Sequence, residues 1–188
     1  MATNIISDHP LAGAGSSSGG EKKGLKVLIA IDESGESFYA LQWALDHLFP
    51  SLPGIGATVV ESRREVGMLT IMNVIEPFHQ YILPAGPAGY SSNLESVRKA
   101  REESAGVLLA QALRLCKDKM VKVETLIVEG DPKDKICEAG DEMHADLLVL
   151  GSRGLGKIKR AFMGSVSDYC VHHAKCPVLI VRPQPHAK

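Results

Sequence analysis

Five apolar runs separated by helical patterns predict an α/β fold: an open, doubly wound, five-stranded parallel sheet with helices on both faces. Three observations carry that expectation. Lys26–Ile31, Met68–Ile75 and Leu147–Leu150 are apolar at nearly consecutive positions, as strands covered on both faces must be. The intervening segments repeat apolar residues every three or four positions, the period of an amphipathic helix. Strand and helix alternate strictly, and parallel pairing needs such helical crossovers.

Taken in order, residues 1–24 are rich in Gly, Ser and Ala, and that composition predicts a flexible tail. The domain is expected over 25–183, with a short tail at 184–188. Lys26–Ile31 is the first strand, ending at Asp32. Phe38, Leu41, Leu45 and Leu48 mark a helix from about Ser37 to Leu48, stopped by Pro50 and Pro53. An insertion loop over 54–67 precedes the second strand, Met68–Ile75. Residues 77–91, with three prolines and two glycines, read as an irregular loop. Ser92-x-x-Glu95 has capping-box spacing and predicts the start of a helix reaching about Lys119. Its apolar face is read as Leu94, Val97, Ala105, Leu108, Ala112 and Leu115, and Arg101, within that stripe, is expected to snorkel outward. Val121–Val128 is the third strand. Asp131 and Pro132 suit the N-cap and first position of a helix running to about Met143. Leu147–Leu150, a helix over Ser165–Ala174, and Val178–Val181 complete the order. Asp32, Asn73–Glu76, Gly130 and Gly151 then all stand at strand carboxyl ends, where doubly wound sheets bind ligands.

Composition narrows the function classes. The chain has 188 residues, a formal net charge of −1, 45% hydrophobic and 23% charged residues. This is an ordinary globular balance with no basic excess for nucleic acid and no apolar stretch of membrane-spanning length. The N-terminal residues lack the basic and apolar regions of a secretory signal. Cys116, Cys137, Cys170 and Cys176 form no Cys-x-x-Cys pair and sit in apolar patterns, as reduced core cysteines of a cytoplasmic protein would. His172-His173 near Cys170 and Cys176 does not make a convincing metal set, and no Ser-His-Asp arrangement can be assembled. Asp131 and Asp134 read as cap and first-turn acids.

The run from Asp146 to Ser165 carries the chemistry. Glycines let backbone N–H groups approach a ligand, and a helix N-terminus favours an anion. Gly151–Lys157 almost matches the Walker pattern, but Ile158 stands where a Mg²⁺-binding hydroxyl is needed. Gly154-x-Gly156 fails the dinucleotide pattern, because Lys159 replaces the third glycine. The spacing that fits is Gly151, two residues, Gly154, nine residues, then Gly164-Ser165. Arg153, Lys157, Lys159 and Arg160 supply cations between them.

This G-x2-G-x9-G-[S/T] spacing resembles the ATP-binding signature of the universal stress protein family. Lys26–Asp32 with Ser34 looks like that family's first strand and acidic turn, and Cys176–Pro183 looks like its terminal strand. The 54–67 loop and the N-terminal tail depart from its compact members. The resemblance implies a Rossmann-like domain that binds ATP, with or without Mg²⁺. It implies that Asp32 holds the ribose, that Ala30 and Ile31 line the adenine site, and that Val74 contacts the base. Gly151, Arg153 and Gly154 would serve ribose and phosphates, and Gly164, Ser165 and Val166 would bind phosphate. It also implies a cytoplasmic homodimer through Val178–Val181, acting as a nucleotide-dependent switch or scaffold in stress response. The rival expectations are a slow ATPase or nucleotidyl or phosphoryl transferase, and a nucleotide-free dimeric module. No residue stands out as a water-activating base.

Overall fold

The computed structural model describes residues 24–49, 67–77, 90–152 and 163–183. The N-terminal tail, most of the 54–67 and 77–91 loops, the cations at 153–160 and the C-terminal tail lie outside the described residues. The elements are β1 (Lys26–Ala30), α1 (Gly35–His47), β2 (Gly67–Ile75), α2 (Tyr90–Leu115), β3 (Val121–Glu129), α3 (Pro132–Glu142), β4 (Leu147–Gly151), α4 (Ser165–His173) and β5 (Val178–Val181).

The five strands form one sheet in the order β3-β2-β1-β4-β5, and every pairing is parallel. The chain adds strands outward from β1 to β3, then returns to β1's other side with β4. That reversal makes β1/β4 the switch point of a doubly wound sheet. Alternate side chains of each strand serve different faces. Val27, Ile29, Leu69, Ile71 and Val149 pack under α1 and α2, with Leu41, Leu45, Leu108 and Ala112. Leu28, Met72, Leu148 and Leu150 pack on the opposite face with Ile136 and Ala139 of α3 and Cys170 of α4. The unbroken apolar runs of β1 and β4 follow from this double coverage.

Helix ends obey local chemistry. Ser34 caps α1 by accepting from Ser37 N, and Asp131 caps α3 by accepting from Lys133 N, with Pro132 in the first turn. At the C-terminus of α3, His144 takes φ of 49°, while His144 N and Ala145 N donate to Asp141 O and Gly140 O. That is a Schellman closure with a residue other than glycine in the left-handed position.

Helix α2 corrects several sequence readings. It starts at Tyr90, so Ser92 is an interior residue rather than an N-cap, and Tyr90 and Ser91 are helical rather than loop. Ser-x-x-Glu spacing also occurs inside helices, where backbone bonds already satisfy the donors. The helix ends at Leu115, four residues earlier than expected, and Cys116–Lys119 forms a tight turn closed by Lys119 N to Cys116 O. Its buried stripe is Ala105, Leu108, Leu109 and Ala112, continued by Cys116 in the turn, whereas Val97 and Leu115 are 37% and 38% exposed. Arg101 meets Glu76 beyond the end of β2, so the turn carrying Val97 projects past the sheet. Gly67, assigned to the preceding loop, opens β2; a Cβ there would come within 2.8 Å of the Phe49 ring.

Candidate functional site

The carboxyl ends of β1, β2 and β4 open into a cleft of about 690 Å³, walled by the first turns of α3 and α4 and by α2. Every sequence-predicted site residue within the described regions lines it. Ala30, Ile31 and Asp32 come from the end of β1, Val74 from β2 and Gly151 from β4. Gly164, Ser165 and Val166 come from the start of α4. Arg153 and Gly154 lie outside the described residues.

Asp32 is held at the turn from β1 into α1. Its Oδ1 accepts from Ser34 N at 3.0 Å and also from the Ser34 hydroxyl. Ser37 Oγ then clasps the same turn, donating within reach of Asp32 O at 2.9 Å and Ser34 O at 3.0 Å. The carboxylate is thereby oriented through one oxygen, and it stays half-exposed at the cleft. An aspartate so fixed is suited to accept hydrogen bonds from ligand hydroxyls.

Gly151 serves packing as well as access. A Cβ there would lie 3.0 Å from the Glu36 carbonyl carbon and oxygen and 3.1 Å from Ser37 N. Glycine therefore lets the α1 N-terminus close onto the end of β4, so that Asp32 and Gly151 line the same cleft.

The α4 N-terminus is built differently from those of α1 and α3. Gly164 is its N-cap and makes no side-chain cap bond. Gly164 N donates to Ser152 O at 2.8 Å, which fixes the entry of the helix, and Asp168 N makes the first helical bond to Gly164 O. The N–H groups of the first turn, at Ser165, Val166 and Ser167, precede the helix's own bonding pattern. Together with the helix dipole they form an anion-favouring end that opens on the cleft.

Other lining residues were not singled out as ligand contacts from the sequence, although Asn73 was placed at a strand carboxyl end. Asn73, Ser104, Pro132, Ile136 and Ser167 join the wall, and so does Arg101. Arg101 does more than snorkel: at the exposed rim of the cleft its Nη1 donates to Glu76 O at 2.6 Å. A cation in an apolar stripe fits either a snorkelled stem or a cleft wall, and periodicity does not distinguish them.

Behind the α3–α4 wall lie three thiols. Cys137 Sγ and Cys170 Sγ are 3.7 Å apart, and Cys116, Cys137, Cys170 and Cys176 are all free. Burial pushes the Cys170 thiol up to about 12 and Cys116 up to about 11. Among the described residues no group of three or more His, Cys, Asp or Glu is placed to hold a metal ion. His172 and His173 instead turn Nδ1 to Asp168 O and Tyr169 O within α4. No helix among the described residues is long and apolar enough to cross a membrane.

The family model of the universal stress proteins matches residues 25–182. The chain belongs to the universal stress protein family. A universal stress protein A-like protein of Arabidopsis thaliana is 38% identical over 90 residues, 48% of this chain and 51% of that protein. The chain thus spans about half the length of that relative. Among solved structures, the universal stress protein UspA of Lactobacillus plantarum shares the fold at a TM-score of 0.65, with 22% identity over 85% of this chain and 99% of that one. A universal stress protein family protein of Arabidopsis thaliana, solved with AMP bound, matches at a TM-score of 0.55 with 26% identity, covering 87% of this chain and 97% of its own.

Proposed function

We propose that this universal stress protein binds an adenine nucleotide, ATP in the first instance, and acts as a nucleotide-dependent switch or scaffold. The observation that carries the reading is one cleft lined by both the oriented carboxylate of Asp32 and the uncapped α4 N-terminus at Gly164–Val166. A carboxylate for ribose hydroxyls, an anion-favouring helix end for phosphates, and apolar Val74 and Ile136 for a base match the three parts of a nucleotide. The AMP bound in the Arabidopsis structure supports the same ligand class. On this reading Ala30, Ile31 and Val74 flank the base, Asp32 and Gly151 the ribose, and Gly164, Ser165 and Val166 the phosphates. Arg153 and Gly154 complete the phosphate side.

Calorimetric titration of ATP, ADP and AMP, with and without Mg²⁺, tests the reading. Saturable binding that Asp32→Ala and Ser165→Ala each weaken supports it; no heat at high micromolar nucleotide rejects it. Turnover measured in parallel separates switch from enzyme, since rapid hydrolysis abolished by Ser165→Ala fits only the latter. We further propose a cytoplasmic homodimer through β5. This strand ends the sheet order, and Val178–Val181 offers a short apolar edge for pairing across a two-fold axis. Light scattering across a dilution series tests the dimer.

A further inference from the structure

Asn73 interrupts the ladder between the two strands that meet beneath the cleft. The β1–β2 register runs from Lys26↔Met68 to Ala30↔Met72, and Ile31 N still donates to Met72 O at 2.8 Å. In a parallel ladder the next rung would run from Val74 N–H to Ile31 O. That rung is not made. Ile31 O instead accepts from Asn73 Nδ2 at 2.8 Å. On β2's other side, Gly130 N donates to Ile75 O, so the backbone groups of Ile75 serve β3. Val74, one residue earlier, therefore presents its N–H and C=O toward the β1 side, where the ladder has stopped and the cleft begins.

We propose that Asn73 is a positioning residue: its carboxamide takes the last β1 carbonyl and so leaves the Val74 peptide edge available to the bound base. The inference rests on the nucleotide reading above. A carboxamide suits the task, because it can donate to a carbonyl without bringing charge into the wall. Without that donor, Ile31 O is a buried acceptor whose nearest replacement is Val74 N–H, and the ladder closes by one rung. A peptide edge offering both N–H and C=O complements adenine, whose N1 accepts beside a donating amino group. A hypoxanthine held in the same orientation is mismatched, because its N1–H then meets the peptide N–H and its O6 meets the peptide C=O.

The test uses the full chain, with Asn73→Leu as a donor-free variant of similar size and Asn73→Asp as a second. Calorimetry with AMP and with IMP gives the base preference, and amide hydrogen exchange of the ligand-free proteins reads the Val74 N–H directly. Expected is loss of about tenfold in AMP affinity, the effect of one hydrogen bond. The AMP-over-IMP ratio should fall toward one, and the Val74 amide should become protected, in whichever variant keeps the native circular dichroism. An unchanged ratio and unchanged Val74 exchange in a folded variant overturn the role of Asn73 alone. A wild-type chain that binds neither nucleotide overturns the nucleotide reading, while the exchange measurement still reports whether Asn73 holds the ladder open.

Discussion

Gly151 and Glu36 meet backbone to backbone: a Cβ on the glycine would stand 3.0 Å from the glutamate's carbonyl carbon and oxygen. Backbone cannot swing aside as a flexible side chain can. Gly151→Ala should therefore destabilise the fold by about 1–3 kcal/mol through overpacking. Thermal melting should show a drop of several degrees. The same variant is a poor test of ligand binding, because α1 and Asp32 would shift with it.

Ser34 holds both the first turn of α1 and one oxygen of Asp32. Ser34→Ala should cost roughly 1 kcal/mol from the lost cap. AMP affinity should fall further than that loss of stability accounts for, since Asp32 loses its hydroxyl partner. Paired melting and calorimetric measurements check this, and an unaltered affinity would show that the Asp32 orientation does not depend on Ser34.

His144 occupies the left-handed region at φ of 49° and is exposed at the end of α3. A side chain there carries a steric cost that glycine escapes. His144→Gly should raise stability by about 0.5–1 kcal/mol, after allowing for the greater freedom of unfolded glycine. Urea unfolding at neutral pH would register a higher midpoint with an unchanged slope.

The buried thiols give the fold an alkaline limit. The ordinary Cys pKa is 9.0, while burial holds Cys170 near 12 and Cys116 near 11. Unfolded thiols release protons first, so the unfolded state binds fewer protons above about pH 9. The stability these thiols contribute is fully present below about pH 9 and is lost as pH rises toward 11–12. The melting temperature of Cys170→Ala should fall less steeply between pH 9 and 10.5 than that of the wild type. At pH 7.5, Cys116 and Cys170 should resist a thiol reagent until the protein is denatured.

The sheet was legible because double coverage forces consecutive apolar residues, and β5 was read to its end residues because Pro177 and Arg182-Pro183 bound it. The α2 stripe was misread at Val97 and Leu115. Periodicity identifies a face, but not how much of the helix lies over the sheet. Asp32 and the α4 N-terminus could be anticipated, since a glycine before a helix and an acid after a strand are local signals. The roles of Arg101 and Asn73 could not. The first depends on which way a long side chain turns at the end of β2, and the second on a register between residues 42 positions apart.

The place of β1 at the centre of the sheet bears on how the protein is made. Lys26 N donates to the carboxylate of Asp146, 120 positions further along the chain, so one flank of β1 waits for β4 while most of the domain is still being synthesised. Until then the nascent sheet carries an open hydrophobic edge, and its cleft lacks the end of β4 and the α4 N-terminus. Ligand can reward the completed chain but cannot guide the early one. Loop-closure entropy for that last docking, rather than helix formation, should govern how fast the domain becomes competent.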